Sequence, residues 1–105
     1  MLEYDDLQSI RAGQIIAVEE LPGIHYKVTV DFGPEIGHKT SVVGAKREYP
    51  VEALQGKLVL GVVTFPPRTI KGIASEVLLL GVHAPDGSLS LLTPDRGARL
   101  GDSLY

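Results

Sequence analysis

Apolar and polar residues alternate from Ile24 to Phe32: Ile24, Tyr26, Val28, Val30 and Phe32 are separated by His25, Lys27, Thr29 and Asp31. A period of two places the apolar set on one face of an extended chain, so the segment is predicted to be a strand with one buried side. Gln14 to Glu20 reads as a preceding strand, joined to it by the turn residues Leu21-Pro22-Gly23. Gly33-Pro34-Glu35-Ile36-Gly37 marks a second turn, followed by the β-branched run Thr40-Ser41-Val42-Val43. A three-stranded meander is expected. Tyr49 to Leu54 suits one helical turn, with Pro50 at its first position and Gly56 as its stop. Strands are predicted again at Leu58 to Val63 and at Ala74 to Leu80. A weaker alternation, Ser88 to Leu92, follows the turn Ala84-Pro85-Asp86-Gly87.

The order is β-β-β-short α-β-β with an extra C-terminal strand. It predicts an all-β fold with one short helix, a five-stranded Greek-key barrel of the oligonucleotide-binding (OB) type with terminal extensions. An SH3-like barrel is the competing architecture, and a helical turn between the third and fourth strands favours the OB form. At 105 residues the chain suits a single domain over its whole length, 1–105. The apolar ends, Leu2 to Ile10 and Leu89 to Tyr105, exceed what such a barrel must enclose and suggest a homodimer.

Composition narrows the function. Without cysteine, disulfides, thiolate metal sites and cysteine nucleophiles are excluded together. His25, His38 and His83 share no ligand spacing, so neither a metal nor another cofactor is expected. The acidic start and the lack of an apolar run of about 18 residues predict a soluble, cytoplasmic protein with no membrane insertion. A net charge of -3 argues against nucleic-acid binding by the whole surface and restricts it to a local patch. No nucleophile-elbow or glycine-rich phosphate motif occurs, so no enzyme is expected.

The candidate patch is Phe65-Pro66-Pro67-Arg68-Thr69-Ile70-Lys71-Gly72, between two apolar strands. Two prolines stiffen the connection and present Arg68 and Lys71 to an anionic ligand. Ser75-Glu76 lies where that loop becomes a strand. A carboxylate there must pair with a basic loop residue or recognise a base edge or peptide amide. Lys39, Lys46 and Arg47 would extend the patch, Lys39 first because the third strand borders the usual binding face. Tyr26 and Phe32 belong to the core, which leaves Phe65 or Tyr49 for stacking. Phe65 could equally be an apolar plug under the loop, or one wall of a peptide groove.

Five motifs carry a resemblance: Ile10-Arg11-Ala12-Gly13, Val30-Asp31-Phe32-Gly33, Gly44-Ala45-Lys46-Arg47-Glu48-Tyr49, Phe65-Pro66-Pro67-Arg68 and Gly72-Ile73-Ala74-Ser75-Glu76-Val77. Together they resemble the tRNA-binding domain also found at the C-terminus of some methionyl-tRNA synthetases. Asp31 to Gly37 and Ser75 to Gly81 look most like the stand-alone CsaA-type secretion chaperones. The resemblance implies an OB fold, a homodimer built through terminal extensions, no catalysis, and binding of unfolded, export-bound polypeptide or of tRNA. It points to Lys39, Ser41, Phe65, Arg68, Lys71, Ser75 and Glu76 as the ligand-binding set. The acidic net charge inclines the choice toward the chaperone. Ser9 and Ala12 depart from the family's usual aspartate and valine, and Leu21-Pro22-Gly23 is a shorter connection than is typical. Val42-Val43-Gly44 lacks serines that both patterns carry near this point.

Overall fold

The computed structural model describes residues 3–64 and 66–105; Met1, Leu2 and Phe65 lie outside them. A short helix α1 (Tyr4–Leu7) leads into β1 (Ile10–Glu20), which pairs antiparallel with β2 (Tyr26–Asp31). β1 starts four residues earlier than the alternation suggests, because its first half ladders with another strand. A one-turn helix, α2 (Gly33–Ile36), replaces the expected open turn and is closed by the Gly37 N–H donating to the Gly33 carbonyl at 2.7 Å. β3 (His38–Val43) then completes the meander on β2.

The expected helical turn is α3 (Val51–Leu54), with Pro50 just outside it as the N-cap instead of at its first position. β4 (Leu58–Val62) pairs with the first half of β1. A register shift between Ile15 and Ala17 marks a bulge. There β1 bends, leaving β4 to join β2. The strand expected from Ala74 to Leu80 is split. After β5 (Arg68–Ile70) come β6 (Ile73–Ser75) and β7 (Leu78–Leu79), and only β7 joins β4. The resulting sheet runs β3-β2-β1-β4-β7 and curls into a nearly closed OB barrel. A hairpin of β8 (Gly81–His83) and β9 (Leu89–Leu91) follows, its first strand unsignalled by alternation.

Ile15, Val28, Val30, Phe32, Leu54, Val59 and Val77 fill the barrel and are fully buried. Phe32 lies over the glycines of two neighbouring strands. A Cβ on Gly13 would stand 2.7 Å from its ring, and one on Gly61 3.0 Å. No larger residue fits under the phenyl group.

Beyond β9 the chain returns to the barrel. The Ala12 N–H donates to the Asp102 carbonyl and the Gly101 N–H to the Ala12 carbonyl, both at 2.8 Å, and Ser103 bridges Arg11. The Arg11 guanidinium donates to the carbonyls of Gln8 (2.7 Å) and Gly101 (3.2 Å), which ties both ends of the chain to β1. The segment expected to stay outside the barrel is therefore partly used to brace it.

Candidate functional site

The basic stretch after the prolines is a hairpin, not a loop. β5 and β6 pair Arg68 with Ser75, Thr69 with Ala74 and Ile70 with Ile73. Their two-residue connection, Lys71-Gly72, has φ of 53° and 78°. Positive φ at both positions defines a type I′ turn, whose twist matches that of the strands it joins. Directly opposed residues share a face. Arg68, Ile70, Ile73 and Ser75 therefore lie on one side of the hairpin, and Thr69 and Ala74 on the other.

The first of these faces borders a recess of about 200 Å³. Ser41 to Gly44 of β3 and its exit form one wall, Arg68, Ile70 and Ser75 another, and Val77, Leu79, Leu89 and Leu91 supply apolar lining. Ser41, opposite Val28 in the ladder, is 2% exposed, and Ser75 is 4% exposed. Arg68 is exposed and has interactions of its own.

Side-chain bonds and one backbone bond, not a strand ladder, bridge β3 to β6 and the residue after it. The Thr40 N–H donates to Glu76 Oε1 at 2.9 Å, and the Glu76 N–H donates back to the Thr40 carbonyl at 2.7 Å. Thr40 Oγ1 lies 3.0 Å from Glu76 Oε1 and 2.7 Å from the Ala74 carbonyl, so its single proton serves one acceptor at a time. The Val42 N–H donates to Ser75 Oγ at 3.3 Å. The bonds from the Thr40 amide and hydroxyl, assisted by the nearby Lys39 charge, hold the Glu76 carboxyl below its ordinary value. Glu76 finds its partner on the third strand, not on the basic loop.

The structure thus gathers Ser41, Arg68 and Ser75 at the recess and Lys39 with Glu76 at the seam beside it. Lys39 sits opposite Val30 and is half-buried. Lys71 occupies the exposed hairpin tip and is not part of the recess wall. Phe65, expected to stack on a base or to form one wall of a groove, lies outside the described residues.

Lys46 does not extend a basic patch. Its Nζ donates to the Leu21 carbonyl at 2.5 Å, lies 3.7 Å from Glu20 and stands 5.7 Å from the Tyr26 ring centre, stapling the β1–β2 connection. Tyr49 is likewise taken by the fold: its hydroxyl accepts the Leu91 N–H at 2.9 Å, and its ring packs on the core. Arg47 lines a separate recess with Glu48 and the Asp86 turn. Sequence reasoning missed the apolar lining, above all Leu89 and Leu91, whose weak alternation carried no sign of which surface they cover. Among the described residues no group of three or more His, Asp or Glu could hold a metal ion, and no helix is long and apolar enough to cross a membrane.

A model of the family described as "Putative tRNA binding domain" matches residues 10–103. The chain belongs to this tRNA-binding domain family. Methionine–tRNA ligase of Pyrococcus horikoshii is 38% identical over 105 residues, 95% of this chain and 14% of the ligase. The same enzyme from Methanococcus vannielii is 34% identical over 106 residues, 99% of this chain and 16% of the ligase. The chain thus spans a small fraction of the curated relatives it matches. Among solved structures, the CsaA chaperone protein of Picrophilus torridus superposes with a TM-score of 0.87 at 37% identity, covering 100% of both chains. Chaperone CsaA of Bacillus anthracis gives the same TM-score, 0.87, at 33% identity, over 100% of this chain and 99% of its own.

Proposed function

We propose that the chain is a non-catalytic RNA-binding module that holds tRNA, or RNA of similar structure, against the recess and the β5–β6 hairpin. The observation that carries this is the hairpin itself. It sets Arg68 beside the recess and Lys71 at its tip, within a chain whose family is named for tRNA binding. Arg68 would take phosphate through two parallel hydrogen bonds and Lys71 as a point charge, while Lys39 adds to the local positive field. Ser41 and Ser75 supply hydroxyls at the recess wall. With an overall charge of -3, affinity must come from this patch, so it should depend strongly on salt.

A second reading, binding of extended unfolded polypeptide in a secretion pathway, is favoured by one feature. The recess is lined mainly by apolar side chains, Ile70, Val77, Leu79, Leu89 and Leu91 among them, and the CsaA chaperones superpose along the whole chain. Apolar burial of that kind persists as salt rises. Titrating wild type with unmodified tRNA and with an uncharged apolar peptide, each at low and high salt, separates the two. Salt-sensitive tRNA binding supports the first reading. Salt-insensitive peptide binding without tRNA binding replaces it with the second. We further propose that the working form is a homodimer, since Val82 and Leu92, which do not line the recess, remain 56% and 36% exposed, and that it is cytoplasmic.

A further inference from the structure

The β5–β6 hairpin is a two-stranded sheet of its own, and among the described residues no ladder joins it to the five-stranded sheet. It is continuous with the barrel through the chain on either side and fastened across the seam to β3. Thr40 and Glu76 carry most of that fastening: amide to carboxylate, a hydroxyl whose one proton goes to the carboxylate or to the Ala74 carbonyl, and the return bond from the Glu76 N–H. The walls of the recess lie on either side of this seam, Ser41 on β3 and Arg68 and Ser75 on the hairpin. Whatever fixes the seam fixes the distance between the walls.

We propose that Glu76 is a positioning residue for the recess: its carboxylate splints the hairpin to β3, and it acts on the ligand only through the spacing of Ser41, Arg68 and Ser75. This inference rests on the binding role proposed above and takes, of the two roles the sequence left open for Glu76, the structural one. Oε1 already accepts from the Thr40 amide, and from the Thr40 hydroxyl whenever that proton is not on the Ala74 carbonyl. A single acceptor oxygen on a side chain of this length is all the seam requires. Glutamine provides that oxygen and differs from glutamate at the other position, where it presents an NH₂ donor instead of an acceptor. The two roles therefore separate cleanly: a splint tolerates glutamine, and a carboxylate that accepts from a ligand does not.

The test compares wild type, Glu76→Gln, Glu76→Ala and Thr40→Val, with tRNA as the probe and with amide hydrogen exchange at Thr40 and Val42 measured on the free protein. The splint predicts that Glu76→Gln stays within about threefold of wild type in affinity and keeps slow exchange. Glu76→Ala should bind roughly tenfold more weakly and exchange faster at both amides. Thr40→Val, which loses the hydroxyl and keeps the amide, should fall between them. The proposal is overturned if Glu76→Gln loses as much affinity as Glu76→Ala while its exchange stays slow, since the carboxylate then touches the ligand. It is overturned equally if Glu76→Ala speeds exchange and leaves affinity unchanged. Exchange needs no ligand: should wild type fail to bind tRNA, the RNA reading falls on that result alone, and slow exchange in Glu76→Ala still sinks the splint.

Discussion

At the scale of single residues, three side-chain positions make distinct predictions. Gly33 has φ of 90°, and a Cβ there would stand 2.6 Å from the Leu100 carbonyl oxygen. Gly33→Ala should therefore cost about 2 kcal/mol or more, seen as a lower urea midpoint with an unchanged slope. An unaltered midpoint would show that Leu100 gives way freely. Lys71 is the non-glycine residue at positive φ among those described. Asparagine is better suited to the first position of a type I′ turn, so Lys71→Asn should hold or raise the melting temperature while weakening tRNA binding. A drop in melting temperature would argue against the turn geometry. Glu76 brings a pH dependence. Its folded-state pKa is depressed below the ordinary 4.5, so its stabilising effect is present above that value and is lost as pH falls through the lower, folded one. Replacement by glutamine should remove part of the acid-side loss of stability, measured by urea unfolding at stepped pH. The sequence marked Glu76 as a carboxylate in need of a partner. Which partner was not legible, because the Thr40 amide is 36 residues away and every residue type offers an amide.

At the scale of elements, β2 was legible because it buries one face, and one-sided burial writes a period of two into the sequence. β2 alternates buried and half-buried residues along its whole length. The β5–β6 hairpin had no such signature. β5 is exposed at Arg68 and Thr69 and only half-buried at Ile70, and its turn is Lys-Gly where Asn-Gly or Asp-Gly would announce a hairpin. The C-terminal brace was hidden for another reason. Residues 101–103 join β1 through backbone groups, which side-chain patterning does not report. That brace changes what truncation should do. Deleting residues 99–105 removes the carbonyl that accepts the Ala12 N–H and one acceptor of Arg11. The barrel itself should lose stability, seen as a fall in melting temperature at every protein concentration. A deletion that changed only the concentration dependence of melting would instead place this segment in a dimer contact.

For the whole molecule, the OB architecture was readable from strand order and turn positions. The ligand was not, because phosphate and apolar polypeptide would meet the same recess, with Arg68 on its rim and leucines in its floor. The proposed dimer is checked by light scattering at micromolar concentration, where twice the 11.3 kDa chain mass is expected and a monomer would count against it. The central claim is that this face binds RNA through phosphate contacts. Its most direct test is the salt dependence of tRNA affinity for wild type and Arg68→Ala between about 50 and 200 mM salt. The account predicts a linear fall of log affinity with log salt in wild type, and a slope smaller by about one in the variant with its circular dichroism unchanged. Equal slopes in two folded proteins, or no dependence on salt in wild type, would contradict it.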